Sequence, residues 1–105
     1  MHRRIAWLAL SLLLTPLACA RGAAPSSGGL QTMLSGGEDR QYLLHLPPDL
    51  GDDPLPLVLN LHGFSATARQ QEILSGMSAL ADEAGFIVVY PQALGDPPAW
   101  RVGPN

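Results

Sequence analysis

Leu57-Val58-Leu59-Asn60-Leu61-His62-Gly63-Phe64 is the stretch on which the fold turns. Its first five residues are apolar on both alternating faces apart from Asn60, which suits a strand covered by helices on either side. Such a strand belongs at the centre of a parallel sheet. Gly63 lets the backbone turn sharply and approach other groups closely, so the chain leaves the strand through a tight loop that begins at His62.

Downstream, Thr67 with Gln70 three residues later has the form of a capping box. Ile73, Leu74, Met77, Leu80, Ala81 and Ala84 then recur at helical spacing and predict one apolar stripe. Gln70, Gln71, Ser75, Ser78, Asp82 and Glu83 fall on the opposite, solvated face. Gly85 can take the left-handed conformation that ends a helix. Gly76 costs about 1 kcal/mol relative to alanine inside a helix, enough to divide this one into two pieces. Phe86-Ile87-Val88-Val89-Tyr90-Pro91 closes the unit as a second buried strand. Strand, helix and strand with short connections make a βαβ unit, for which a right-handed crossover is expected.

Upstream, Leu30 to Leu34 and Arg40 to Leu46 are short strand candidates around Ser35-Gly36-Gly37-Glu38-Asp39, and they predict a hairpin. Pro47-Pro48 ends the second strand by removing backbone donors. Asp49 to Pro56 and Gln92 to Asn105, rich in Gly, Pro and Asp, read as loops. Residues 21–29 are mostly Gly, Ala, Ser and Pro and read as a flexible leader. The fold class is therefore α/β: a β-hairpin followed by a βαβ unit, in a mixed sheet over residues 30–105.

Residues 1–20 have a basic start, an apolar run from Ile5 to Leu14 and small residues at Ala18-Cys19-Ala20, which is the order of a secretory signal peptide. The apolar run is about half the roughly twenty residues that a spanning helix needs, so a transmembrane span is not expected. Export to the periplasm or medium with cleavage after Ala20 is the reading. Its alternative is a lipoprotein anchored at Cys19, with Pro16 standing where a lipobox usually has leucine. Cys19 is the one cysteine, so no intramolecular disulfide can form.

The full chain carries six cationic residues, all arginine, against nine acidic ones. Loss of residues 1–20 would remove Arg3 and Arg4 and take the formal charge from −3 to −5. Four scattered arginines in an acidic chain exclude nucleic acid as an expected partner. His45 and His62, without a nearby cysteine or spaced carboxylate, make no metal site. Asp82 and Glu83 read as a solvated helix face and Asp52-Asp53 as loop.

Arg40-Gln41-Tyr42 ahead of a proline-containing loop, then Leu61-His62-Gly63-Phe64, then Leu80 to Pro91, then Trp100 form an ordered set. Residues from about 30 to 105 resemble the secreted α/β-hydrolase esterases of the polyhydroxybutyrate depolymerase and feruloyl esterase group. The resemblance implies that His62, Gly63 and Phe64 form an oxyanion-hole loop. Phe64 N–H would be one donor, and the residue after the nucleophile would supply the other. Serine-dependent ester hydrolysis needs such donors because its tetrahedral intermediate carries a negative oxygen, which prepositioned N–H groups stabilise by several kcal/mol.

The nucleophile of that family lies in a Gly-x-Ser-x-Gly turn on the strand after the one matching Phe86 to Pro91, followed by Asp and His. None of that triad is present in these 105 residues. The expectation is an amino-terminal portion of a serine esterase, inactive by itself. In complete form it would act on an ester-containing polymer or a small ester, with no cofactor. The family's sheet order also sets the nucleophile strand against Leu57 to Leu61, so self-association of the chain alone is expected. His62 reads as a buried loop histidine that fixes the oxyanion loop in preference to a general base, and Ser65 as a helix-entry serine in preference to a Ser/His pair. Trp100 is a candidate substrate contact by stacking, against simple packing. The alternative function is a small non-enzymatic extracytoplasmic binding module that uses the His62 to Ser65 loop.

Overall fold

The computed structural model describes residues 27–103, and the signal-peptide, Cys19 and most of the leader readings lie outside the described residues. Strands β1 (Leu30–Ser35) and β2 (Glu38–His45) form an antiparallel hairpin with Ser35 opposite Glu38. The connection is Gly36-Gly37, with φ of 61° and 81°. Positive φ at both central residues gives a turn whose twist matches that of the strands it joins. The expected five-residue turn is thus two residues long, and β2 starts two residues earlier than expected.

β2 pairs antiparallel with β4 (Ile87–Gln92), and β4 pairs in parallel with β3 (Leu57–Leu59), so the sheet order is β1-β2-β4-β3. Asn60 extends the last pairing by one bond, its N–H donating to Val89 O at 2.9 Å. The expectation of a central strand running from Leu57 to Leu61 is corrected here. Among the described residues β3 is three residues long and lies at an edge, with Leu57 and Leu59 60% and 59% exposed. The reason lies in its two faces. Val58 sits beside Val88 on the helix-covered face, whereas no described helix covers the face of Leu57 and Leu59.

Helices α1 (Ala68–Ser75) and α2 (Met77–Ala84) pack on that one face, where Leu43, Ala68, Ala81, Val88 and Tyr90 form the core with Met77 and Phe86 against it. Thr67 caps α1 through the reciprocal box with Gln70, and Gly85 ends α2 at φ 76°. Gly76, at φ 60°, separates the two helices. The single apolar stripe does not survive this break, because a left-handed residue re-phases everything after it. Ile73 and Leu74 are 71% and 82% exposed, and Leu80 also faces out. Small side chains meet the sheet instead, at Ala68 and Ala81.

Three residues assigned to the outer face bond to the sheet or the strand end beside it, Gln71 and Ser78 half-buried and Asp82 still exposed. Gln71 Nε2 donates to Asn60 Oδ1 at 2.8 Å, Ser78 Oγ lies 2.9 Å from the Tyr90 hydroxyl, and Asp82 pairs with His45 Nε2 at 2.7 Å. From the buried Tyr90 hydroxyl a polar chain runs outward through Ser78 Oγ to Glu72, which is paired with Arg69. Arg69 Nη2 in turn donates to Gly28 O at 2.9 Å. Gly28 N–H donates to Leu44 O, and Leu46 N–H donates to Ser27 Oγ, so residues 27 and 28 are stitched to both β2 and α1.

Gly76→Ala is expected to lower stability by about 1 kcal/mol, even though alanine is the better helix former, because residue 76 must hold a left-handed conformation. A urea-unfolding midpoint measures it. An increase in stability would show that α1 and α2 can merge into one helix.

Candidate functional site

The loop after β3 is held from several sides. His62 is 2% exposed. Its Nε2 accepts the Ala93 backbone N–H at 3.0 Å, so the lone pair is on Nε2 and the proton on Nδ1. Nδ1–H then donates to Gly63 O at 2.7 Å. The ring is therefore the neutral Nδ1–H tautomer with its acceptor already engaged. It has no lone pair to offer a substrate, and its geometry is that of a clamp and not of a general base.

Gln92, the last residue of β4, brings a second polar group to the same place. Its Nε2 lies 3.3 Å from His62 Nε2, and its Oε1 accepts Ala68 N–H at 2.8 Å at the start of α1. Trp100 closes the other side. Its ring centroid is 4.9 Å from that of His62 at a tilt of 37°, and its indole N–H donates to His62 O at 2.7 Å. In this structure Trp100 packs on the histidine and is half-buried.

Beyond His62 the chain reverses. Ser65, at φ 62°, is the one non-glycine residue with positive φ among the described residues. Its N–H donates to Pro98 O at 2.8 Å, and Ala66 N–H donates to Gly63 O at 3.2 Å. Ser65 is thus a turn residue: the helix cap is Thr67, and among the described residues no bond joins Ser65 to His62. Phe64 stands at the tip with its side chain 75% exposed, and its backbone N–H meets no acceptor among the described residues. A free N–H on a loop whose neighbours are tied down is a preorganised donor, suited to an oxygen that gains negative charge.

The structure brings His62, Gly63, Phe64 and Trp100 together at one end of the sheet. Sequence reasoning missed Gln92, the Ala93 N–H and the Pro98 carbonyl. Gln92 had a signal, as a polar residue that directly follows an apolar strand. The two backbone groups had none. Among the described residues no group of His, Cys, Asp and Glu could hold a metal ion, and no helix is long and apolar enough to cross a membrane.

No family model matches the chain. It is 31% identical to NocK of Nocardia uniformis subsp. tsuyamanensis, a protein with an esterase name, over 81% of this chain and 25% of that protein. It is 28% identical to acetylxylan esterase A of Aspergillus oryzae over 89% of this chain and 34% of the relative. An Aspergillus flavus protein with the same enzyme name matches with equal figures. The chain is thus distantly similar to proteins named as esterases, and spans between a quarter and a third of their length.

Proposed function

We propose that residues 57–66 are the oxyanion-loop portion of a serine ester hydrolase, with Phe64 N–H as one of the two donors to the tetrahedral intermediate. The observation that carries this reading is the unengaged Phe64 amide on a loop clamped by His62, Trp100 and Pro98. The distant likeness to proteins named as esterases supports the same chemistry. The substrate class is an ester carried by a polymer, either an acylated polysaccharide or a hydroxyalkanoate polyester, with Trp100 beside the scissile group. Export through residues 1–20 fits an insoluble polymeric substrate, and attachment at Cys19 is the alternative route to the same side of the membrane.

The mechanism assigns binding and charge stabilisation to this loop and leaves attack on the carbonyl to a serine outside these residues. Purified chain is therefore expected to hydrolyse short-chain aryl esters no faster than buffer. Turnover that a serine-directed phosphonate abolishes would overturn that assignment, and saturable ligand binding without turnover would favour the binding-module reading. Reading the coding sequence beyond codon 105 for a Gly-x-Ser-x-Gly turn supplies the direct check. In the protein that carries one, Phe64→Pro removes the donor and should lower kcat by about 10²–10³.

A further inference from the structure

We propose that Arg40, Arg101 and Trp100 form a subsite for a carboxylate beside the His62 loop. They line a cleft of about 260 Å³ together with Glu38, Leu94 and Ala99. Arg40 stands on β2, half-buried, and its Nε is shut away from water with no hydrogen-bond partner among the described residues. The other guanidinium nitrogens of Arg40 also make no hydrogen bond or ion pair among the described residues, so the end of the side chain is uncommitted in a cleft that a ligand's acceptor can enter. Arg101, exposed at the other wall, likewise makes no ion pair among the described residues.

The chemistry of the ligand follows from the donors. The two Nη–H groups at the end of a guanidinium lie side by side in one plane and match the two oxygens of a carboxylate. Two arginines against Glu38 leave one net positive charge in the cleft, which suits a singly charged carboxylate better than a doubly charged phosphate. The Trp100 ring adds a flat apolar wall, and its N–H is already committed to His62 O. A ring-shaped acid can stack there while its carboxylate meets Arg40. The subsite deepens the reading of the loop by making the substrate an ester that carries a free carboxylate. Its test reads binding alone, so the subsite and the hydrolase reading can fail separately.

Saturation-transfer difference NMR of glucuronate over the chain provides that test, since it observes the ligand whatever the size of the protein assembly. The expected result is saturable transfer from glucuronate and none from glucose, its uncharged twin. Arg40→Gln should weaken binding about tenfold or more, as for loss of a charge-assisted fork, and Arg40→Lys should restore only part of it. Arg101→Gln should weaken binding less, because Arg101 is exposed. Arg69→Gln, whose guanidinium has its own partners, should leave binding unchanged. Equal transfer from glucose, or full binding by Arg40→Gln, would overturn the subsite. Displacement of glucuronate by sulfate at equal concentration would reduce it to a general anion patch and overturn the carboxylate assignment. Should Arg40→Gln lose its circular dichroism signature, the glucose comparison and Arg101→Gln decide by the same readout.

Discussion

His62→Ala is expected to destabilise the chain by about 3 kcal/mol or more, the largest loss of any single substitution in the loop. Two effects add. Truncation of a buried ring leaves a cavity, and large-to-alanine changes of this kind cost about 3–5 kcal/mol in well-packed cores. The Ala93 N–H loses its acceptor, and an unsatisfied buried donor costs about 1–3 kcal/mol. Partial collapse of the site and entry of water set the lower bound. A domain of ordinary stability has about 5–15 kcal/mol in total, so the variant would be largely unfolded under mild denaturant. His62→Gln should lose less, because its side-chain oxygen can still accept from Ala93. Amide exchange at Ala93, followed with chemical unfolding, measures both. Unchanged protection of Ala93 in His62→Ala would show that the clamp does not hold the loop.

The second large effect concerns the open edge. Among the described residues nothing pairs with the outer edge of residues 57–59, which hold no proline or charge, and such edges are how strands come to pair with other chains. Leu57 and Leu59 expose apolar surface on the face without a described helix, and Leu61 and Phe64 are also exposed. The chain alone is expected to sediment as dimers or larger species at micromolar concentration. Leu59→Lys places a charge on that face and should weaken association by about tenfold, roughly 1.4 kcal/mol, without conferring hydrolytic activity. Sedimentation velocity over a range of concentrations measures it. A concentration-independent monomer with a cooperative melt above about 50 °C would remove the argument for association.

How much of this was legible in the residues depends on how local the signal was. The capping box at Thr67, the left-handed stop at Gly85 and the break at Gly76 are set within four residues of chain, and each stands where the sequence places it. The hairpin was legible as a hairpin, but its turn could not be separated from Glu38 and Asp39, which have turn-forming character and still pair with β1. Helix facing was not legible. A periodicity argument assumes one continuous phase, and Gly76 resets it, which is why Ile73 and Leu74 point outward while Ser78 reaches Tyr90. The position of β3 failed for a different reason. Apolarity on both faces reports what a strand is suited to, whereas its neighbours are set by segments far away in sequence. At the site, the His62 to Phe64 loop was legible through His-Gly after an apolar run. Its support from Gln92, Ala93 and Pro98 was not, because two of those three contributions come from the backbone.

The polar chain from Tyr90 to Gly28 sets a limit on how the chain can be trimmed. Glu72 and Arg69 carry it from the sheet core to the carbonyl of residue 28, while Ser27 takes the N–H of Leu46 just past β2. A peptidase cut before Ser27, the proposed ones at Cys19 and after Ala20 included, leaves these bonds intact. A cut beyond Gly28 would strip Arg69 of its outer acceptor and Leu44 O of the Gly28 N–H, while β1 stays paired with β2. The last cut that leaves these bonds whole is therefore the one just before Ser27.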